Sequence, residues 1–182
     1  GLVSAGVTHR GIQTIPATIP AACDQIVISL RDYADSSLYT ARIANFDMEE
    51  SNVLPDAIRI SCVGDSITQG YDALRPMNRY AFQLARSLNA AEYNKAIGGE
   101  VFFPALANTR EDWKPDLIFV AYGTNDWGKL GRDTFLENAG TFLRTLRDQY
   151  AGAKLFVMQP IWRKDRDSQR EYGTFDLMRQ DL

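Results

Sequence analysis

From residue 58 onward, short apolar runs alternate with stretches whose hydrophobic positions recur at helical spacing. Runs at 58–63, 92–97, 117–122 and 154–159 are predicted strands. The third is continuously apolar, the pattern of a strand buried on both faces of a parallel sheet, and the second is the most polar. Between the first two, Met77, Tyr80, Ala81, Leu84, Ala85 and Leu88 fall on one face of an amphipathic helix. A second stripe comprises Phe135, Leu136, Ala139, Phe142, Leu143 and Leu146. Thr134 and Glu137 stand at capping-box spacing before it, and Gly152 is the expected stop. After a polar loop over 163–170, Phe175, Met178 and Leu182 mark a third helix.

Upstream of residue 52 the period changes. Ile26, Ile28 and Leu30 alternate with Val27, Ser29 and Arg31, and Tyr39, Ala41 and Ile43 alternate with Thr40 and Arg42. Pro16 and Pro20 disfavour helix before them. Residues 1–52 are therefore expected to form a β segment, either the end of a β-sandwich domain or a β extension. A linker over 49–56 leads to an α/β unit over 57–182. Alternating strands and helices imply a parallel sheet covered by helices, with right-handed crossovers. Ligands of such sheets bind outside the carboxyl ends of the strands.

Composition narrows the function classes. Hydrophobic residues make up 45% and charged residues 24% of the 182, as in a globular protein, and the net charge is −3. No Lys/Arg cluster stands out, so nucleic acid and anionic membrane surfaces are not expected partners. No apolar run approaches the roughly 18 residues that span a bilayer. A basic n-region followed by an apolar h-region is not seen, which leans the reading toward a cytoplasmic location. The cysteines, Cys23 and Cys62, lie far apart, and the single histidine is His9, so no zinc site is expected. Cys62 lies inside an apolar run and reads as a small buried hydrophobe.

Three turns carry candidate chemistry, each at the carboxyl end of a predicted strand. Ser66 follows the first strand in Gly64-Asp65-Ser66, Gly98-Gly99 follows the second, and Gly123-Thr124-Asn125-Asp126 follows the third. Taken singly, each is an ordinary turn. Together they bring a hydroxyl, glycine amides and a neutral carboxamide donor to one rim. Ser66 opens a predicted helix, where unpaired amides favour developing negative charge. Losing one oxyanion donor typically costs about 10²–10³ in rate. Asp65, Gly98, Asp126 and Trp127 flank this set and are candidate substrate-binding residues, the two aspartates expected to brace the turns rather than to react. Tyr71, Phe102, Phe103 and Trp162 also follow strand ends and are candidate pocket-lining aromatics.

These motifs resemble the SGNH (GDSL-type) hydrolase superfamily: Gly64-Asp65-Ser66-Ile67, Asn94 with Gly99, and Gly123-x-Asn125-Asp126, over roughly 57–182. The lead-in Trp113-Lys-Pro-Asp116 is also similar. The resemblance implies a three-layer α/β/α, flavodoxin-like fold and a serine ester hydrolase that uses no metal or organic cofactor. It implies Ser66 as nucleophile, with the Ser66 and Gly99 amides and the Asn125 side chain as oxyanion donors. The upstream β segment is similar to the sandwich domain ahead of some carbohydrate-esterase members, so an acetylated carbohydrate is the expected substrate. Lipase and thioesterase activities occur on the same fold.

One family element is missing. The expected Asp-x-x-His has its spacing matched only by Asp176-Leu-Met-Arg179, and arginine does not accept a proton at neutral pH. The expectation is therefore a domain cut short, lacking its last strand and helix, with the base supplied from outside the chain. Such a domain exposes the edge of its 154–159 strand and is expected to be marginally stable or to form a homodimer. A glycan-binding module that has lost catalysis is the alternative. A flavodoxin-like phosphate binder is disfavoured because no glycine-rich phosphate loop with a basic residue appears.

Overall fold

The computed structural model describes residues 58–109 and 114–182. The expected β segment over 1–52 and Trp113 lie outside them. The four predicted strands form one parallel sheet: β1 (Arg59–Gly64), β2 (Ala91–Asn94), β3 (Leu117–Ala121) and β4 (Lys154–Val157), in the order β2-β1-β3-β4. The chain steps from β1 to one side, returns across it, and continues to the other. The direction of strand order therefore reverses between β1 and β3, and doubly wound sheets place their crevice at that reversal.

Side-chain alternation along the strands divides the core into two layers. Ile60 and Cys62 of β1 pack with Ala81 and Ala85 of α2 (Tyr80–Ser87), joined by Leu117 and Phe119 of β3. The opposite face carries Val63, Ile118, Val120 and Tyr122. Against these lie α3 (Pro104–Ala107), the 18-residue α5 (Arg132–Gln149) and α6 (Phe175–Asp181). The two short helices α1 (Ser66–Gln69) and α4 (Asp126–Lys129) lie at the carboxyl rim. This is the expected α/β/α arrangement, built because residues two apart on a strand face the same side.

Several boundaries differ from the sequence reading. α5 begins at Arg132 with Gly131 as its N-cap, three residues before the expected cap Thr134, and no capping side chain is used. Of its expected stripe Phe135, Ala139, Phe142 and Leu146 are buried and Leu143 partly so, whereas Leu136, at the margin of the stripe, is exposed. Met77 falls in a 3₁₀ turn (Pro76–Asn78) ahead of α2. β2 as a regular strand ends at Asn94 rather than residue 97, although Lys95 N and Ile97 N still donate to Cys62 O and Gly64 O of β1. The Asn94 Oδ1 accepts from Ala96 N at 3.0 Å, and its Nδ2 donates to the Thr68 carbonyl at 2.8 Å. Among the described residues β4 pairs only with β3, and Phe156 and Val157 are partly exposed on it. Phe156 stacks on Phe119 with centroids 4.9 Å apart.

Candidate active site

Register brings the first and third turns together. Gly64, the last residue of β1, pairs with Ala121, the last of β3, so Asp65-Ser66 and Tyr122–Asn125 leave the sheet side by side. The second turn joins them because the chain beyond β2 stays on β1: Lys95 N donates to Cys62 O at 2.8 Å and Ile97 N to Gly64 O at 3.0 Å. This sets Gly98 so close to the nucleophile candidate that a Cβ added there would lie 3.7 Å from Ser66 Cβ. Phe102 then anchors the second turn from below. It is fully buried, edge-to-face with Phe135 and Phe142 and tilted against Tyr122.

Ser66 is the first residue of α1 and is partly accessible, as is Asn125, while Gly98 and Gly99 are exposed. Asp65 is the N-cap of α1: its buried carboxylate accepts from Ile67 N at 2.9 Å. The Asn125 amide nitrogen donates to Asp65 Oδ2 at 3.4 Å and to the Glu100 carbonyl at 2.9 Å. One carboxamide thus touches both other turns. Gly99 has φ +82°, and Glu100 N donates to Ile97 O at 3.2 Å, the pattern of a type II turn. Lys129 Nζ donates to the Gly99 carbonyl at 2.7 Å.

Asp126 is fully buried and braces the third turn. Its two oxygens accept from Phe102 N at 2.8 Å and Gly123 N at 2.9 Å. Burial pushes its carboxyl up to about 6, with those two hydrogen bonds pulling the other way. Burial also raises the Asp65 carboxyl, partly offset by the Ile67 amide. Both aspartates hold backbone and are buried, so their expected place in substrate binding is corrected: neither carboxylate presents surface to a ligand.

The aromatic candidates separate cleanly. Trp127 is 0% exposed: its indole N–H donates to Gly173 O at 2.8 Å, and the Arg170 guanidinium covers its ring at 4.4 Å. Its expected place in a binding site is corrected accordingly, because α4 turns the ring inward against Phe175. Phe102 is likewise core. Tyr71, Phe103 and Trp162 are exposed, at 62%, 52% and 59%.

Among the described residues the Ser66 hydroxyl has no side-chain or backbone partner. Asp176 lies on α6 about half exposed, within 4.0 Å of an Arg166 nitrogen, and Arg179 bonds Gln159. Neither forms a base–orienter pair. Sequence reasoning missed two contributors at the rim, the Glu100 carbonyl and Lys129. Only the four-residue spacing from Asn125 to Lys129 hinted at the latter.

Comparison with known proteins follows the same lines. The solved structure of a family two carbohydrate esterase from Cellvibrio japonicus matches with a TM-score of 0.51 and 24% identity, over 59% of this chain and 44% of that one. A family two carbohydrate esterase from Clostridium thermocellum, solved with cellohexaose, matches with a TM-score of 0.54 and 21% identity, over 68% and 47% of the two chains. An acetyl xylan esterase matches with a TM-score of 0.53 and 21% identity, over 69% and 70%. The chain thus spans less than half the length of the two family two esterases. At these identities the likeness is one of fold. No protein with a curated description matches. The model of the GDSL-like Lipase/Acylhydrolase family matches residues 62–180, well over half of the sequence. With the three turns converging on one rim of a parallel α/β/α sheet, the chain belongs to the GDSL-like Lipase/Acylhydrolase family.

Proposed function

We propose that this chain carries the nucleophile and oxyanion donors of a serine ester hydrolase that removes acetyl or another short acyl group from a carbohydrate. Ser66 Oγ attacks the acyl carbonyl. The new oxyanion is held by the Ser66 and Gly99 amides and by the Asn125 carboxamide, which gives up its long bond to Asp65 as the negative charge forms. A histidine outside residues 58–182 takes the Ser66 proton and passes it to the sugar's ester oxygen as the bond from that oxygen to the acyl carbon breaks, releasing the free sugar hydroxyl. An acyl-enzyme results, which water then hydrolyses. No metal or organic cofactor enters this scheme.

The observation that carries the reading is the Asn125 bridge. One side chain reaches Asp65, next to the nucleophile, and Glu100, next to the Gly99 donor. The exposed rings of Tyr71, Phe103 and Trp162 support a sugar-binding mouth, since flat aromatic faces suit pyranose rings. The carbohydrate esterases of matching fold support the same substrate class. Lipase or thioesterase activity is the alternative within this chemistry.

The test is a fluorophosphonate probe applied to the full-length protein and its Ser66→Ala variant. Covalent labelling of the first and none of the second is expected, together with release of acetate from acetylated xylan. A second reading, a glycan-binding module without catalysis, is favoured by the unpartnered Ser66 hydroxyl. Absent labelling combined with retained binding of a xylo- or cello-oligosaccharide would establish it instead.

A further inference from the structure

The loop that offers the Gly99 amide is gripped from one side by residues four apart. Asn125 Nδ2 donates to the Glu100 carbonyl at 2.9 Å, and Lys129 Nζ donates to the Gly99 carbonyl at 2.7 Å. Asn125 caps α4 and Lys129 ends it, so the two fall on one face of a single helical turn. They take successive carbonyls of the second turn. Gly99 itself stands at φ +82°, and a Cβ built on it would meet only Lys129 Nζ, at 4.0 Å.

Those contacts matter because of what else could hold the turn. Beyond the Ile97–Glu100 closure, the 98–100 backbone is exposed or half-exposed, and glycines at 98 and 99 impose little conformational preference. In a type II turn the central peptide, here the one joining Gly98 to Gly99, decides whether an N–H or a carbonyl points to a given side. A donor presented by such a peptide is useful only if its neighbours are immobile. Lys129 bonds the next peptide, the one joining Gly99 to Glu100, and leaves a positive charge beside it, because its ammonium forms no ion pair with a carboxylate among the described residues.

We infer that Lys129 is a positioning residue of the oxyanion hole: its ammonium clamps the Gly99 carbonyl, fixes the second turn, and aims the Gly99 N–H at the forming oxyanion. This rests on the proposed role of Gly99. Lys129 touches neither the nucleophile nor the reacting atoms; it acts through the loop.

The experiment compares the full-length protein with Lys129→Met, which keeps the stem and loses the donor, and with Lys129→Arg, which restores donor and charge. The first readout is the ¹⁵N order parameter of the Gly99 amide. A value near about 0.85, typical of rigid backbone, is expected to fall below about 0.6 in Lys129→Met and to recover in Lys129→Arg. The second is hydrolysis of p-nitrophenyl acetate. Lys129→Met is expected to lose about ten- to a hundredfold in kcat with KM little changed, and Lys129→Arg to regain most of it. An unchanged Gly99 order parameter in Lys129→Met overturns the inference, whatever the rates do. Hydrolysis that persists in Ser66→Ala overturns the esterase reading instead and leaves the Gly99 measurement to decide the clamp.

Discussion

Asp65 and Asn125, 60 positions apart in sequence, meet through a 3.4 Å hydrogen bond that ties the turn carrying Ser66 to the one that follows β3. Asp65 also holds Ile67 N at 2.9 Å, so one buried carboxylate serves both the first turn of α1 and the neighbouring loop. Replacing it with alanine removes a helix cap and leaves two donors short of an acceptor. Asp65→Ala is expected to lose about 1–3 kcal/mol of stability, read by urea unfolding. In the active protein kcat is expected to fall more than KM rises, since the loss falls on transition-state geometry. A variant as stable as the parent would show that the cap carries no weight.

Gly64 has no room for a side chain. A Cβ there would overlap the Thr68 hydroxyl and lie 2.7 Å from the Ala121 carbonyl. Thr68 is fully buried and bonded to the Tyr80 hydroxyl at 2.8 Å, so it has nowhere to go. Gly64→Ala is expected to destabilise the fold by about 1–3 kcal/mol and to disturb Ser66. Thermal unfolding together with probe labelling of Ser66 checks both effects.

Stability should rise on mild acidification. The Asp126 carboxyl titrates at about 6 in the fold against an ordinary 3.8, so between those values the folded state binds more protons than the unfolded one. The slope of unfolding free energy with pH is then negative: the contribution is complete below about pH 4 and lost as pH climbs through 6. Its ceiling is roughly 3 kcal/mol. Asp65 shifts in the same direction. Melting midpoints are expected to be higher at pH 5 than at pH 7, with most of that difference gone in Asp126→Asn. A flat or opposite profile in the parent would contradict the burial of this group.

The outer edge of β4 invites pairing. Among the described residues it has no neighbour on that side, and Phe156, Val157, Ile161 and Trp162 stand exposed on or just after it. Unpaired, apolar edges favour strand addition. The 182-residue polypeptide is expected to sediment as a concentration-dependent monomer–dimer mixture, shifted toward monomer by Val157→Lys. A single monomeric species at every concentration would refute this.

Much of the fold was legible because burial writes itself into period. The continuous run 117–122 and the stripe from Phe135 to Leu146 gave β3 and α5 directly. Ends were less legible. At the end of β2, Asn94 bonds Ala96 N and the Thr68 carbonyl, and the Thr68 contact exists only once α1 packs beside it. The start of α5 at Gly131 uses no capping side chain, so the Thr134–Glu137 spacing pointed past it. At the site, glycine, serine and asparagine announced themselves by following strands. Which aromatic of a neighbouring pair faces out did not: Phe102 is core and Phe103 is exposed, and adjacent loop residues carry no periodicity to separate them. Lys129 was hidden for a related reason, since a surface lysine bonding a carbonyl looks like any other surface lysine.

At the opposite end of the strands, Asp116 clasps Arg59 through its backbone N–H at 2.8 Å and its guanidinium at 3.3 Å, and the Asp116 carbonyl accepts from Lys154 N at 2.9 Å. Among the described residues that end lies away from the three turns, and Lys154 there is exposed. A tether grafted onto Lys154 would anchor the described domain base-down on a bead or electrode and leave the rim that carries Ser66 turned toward the bulk liquid.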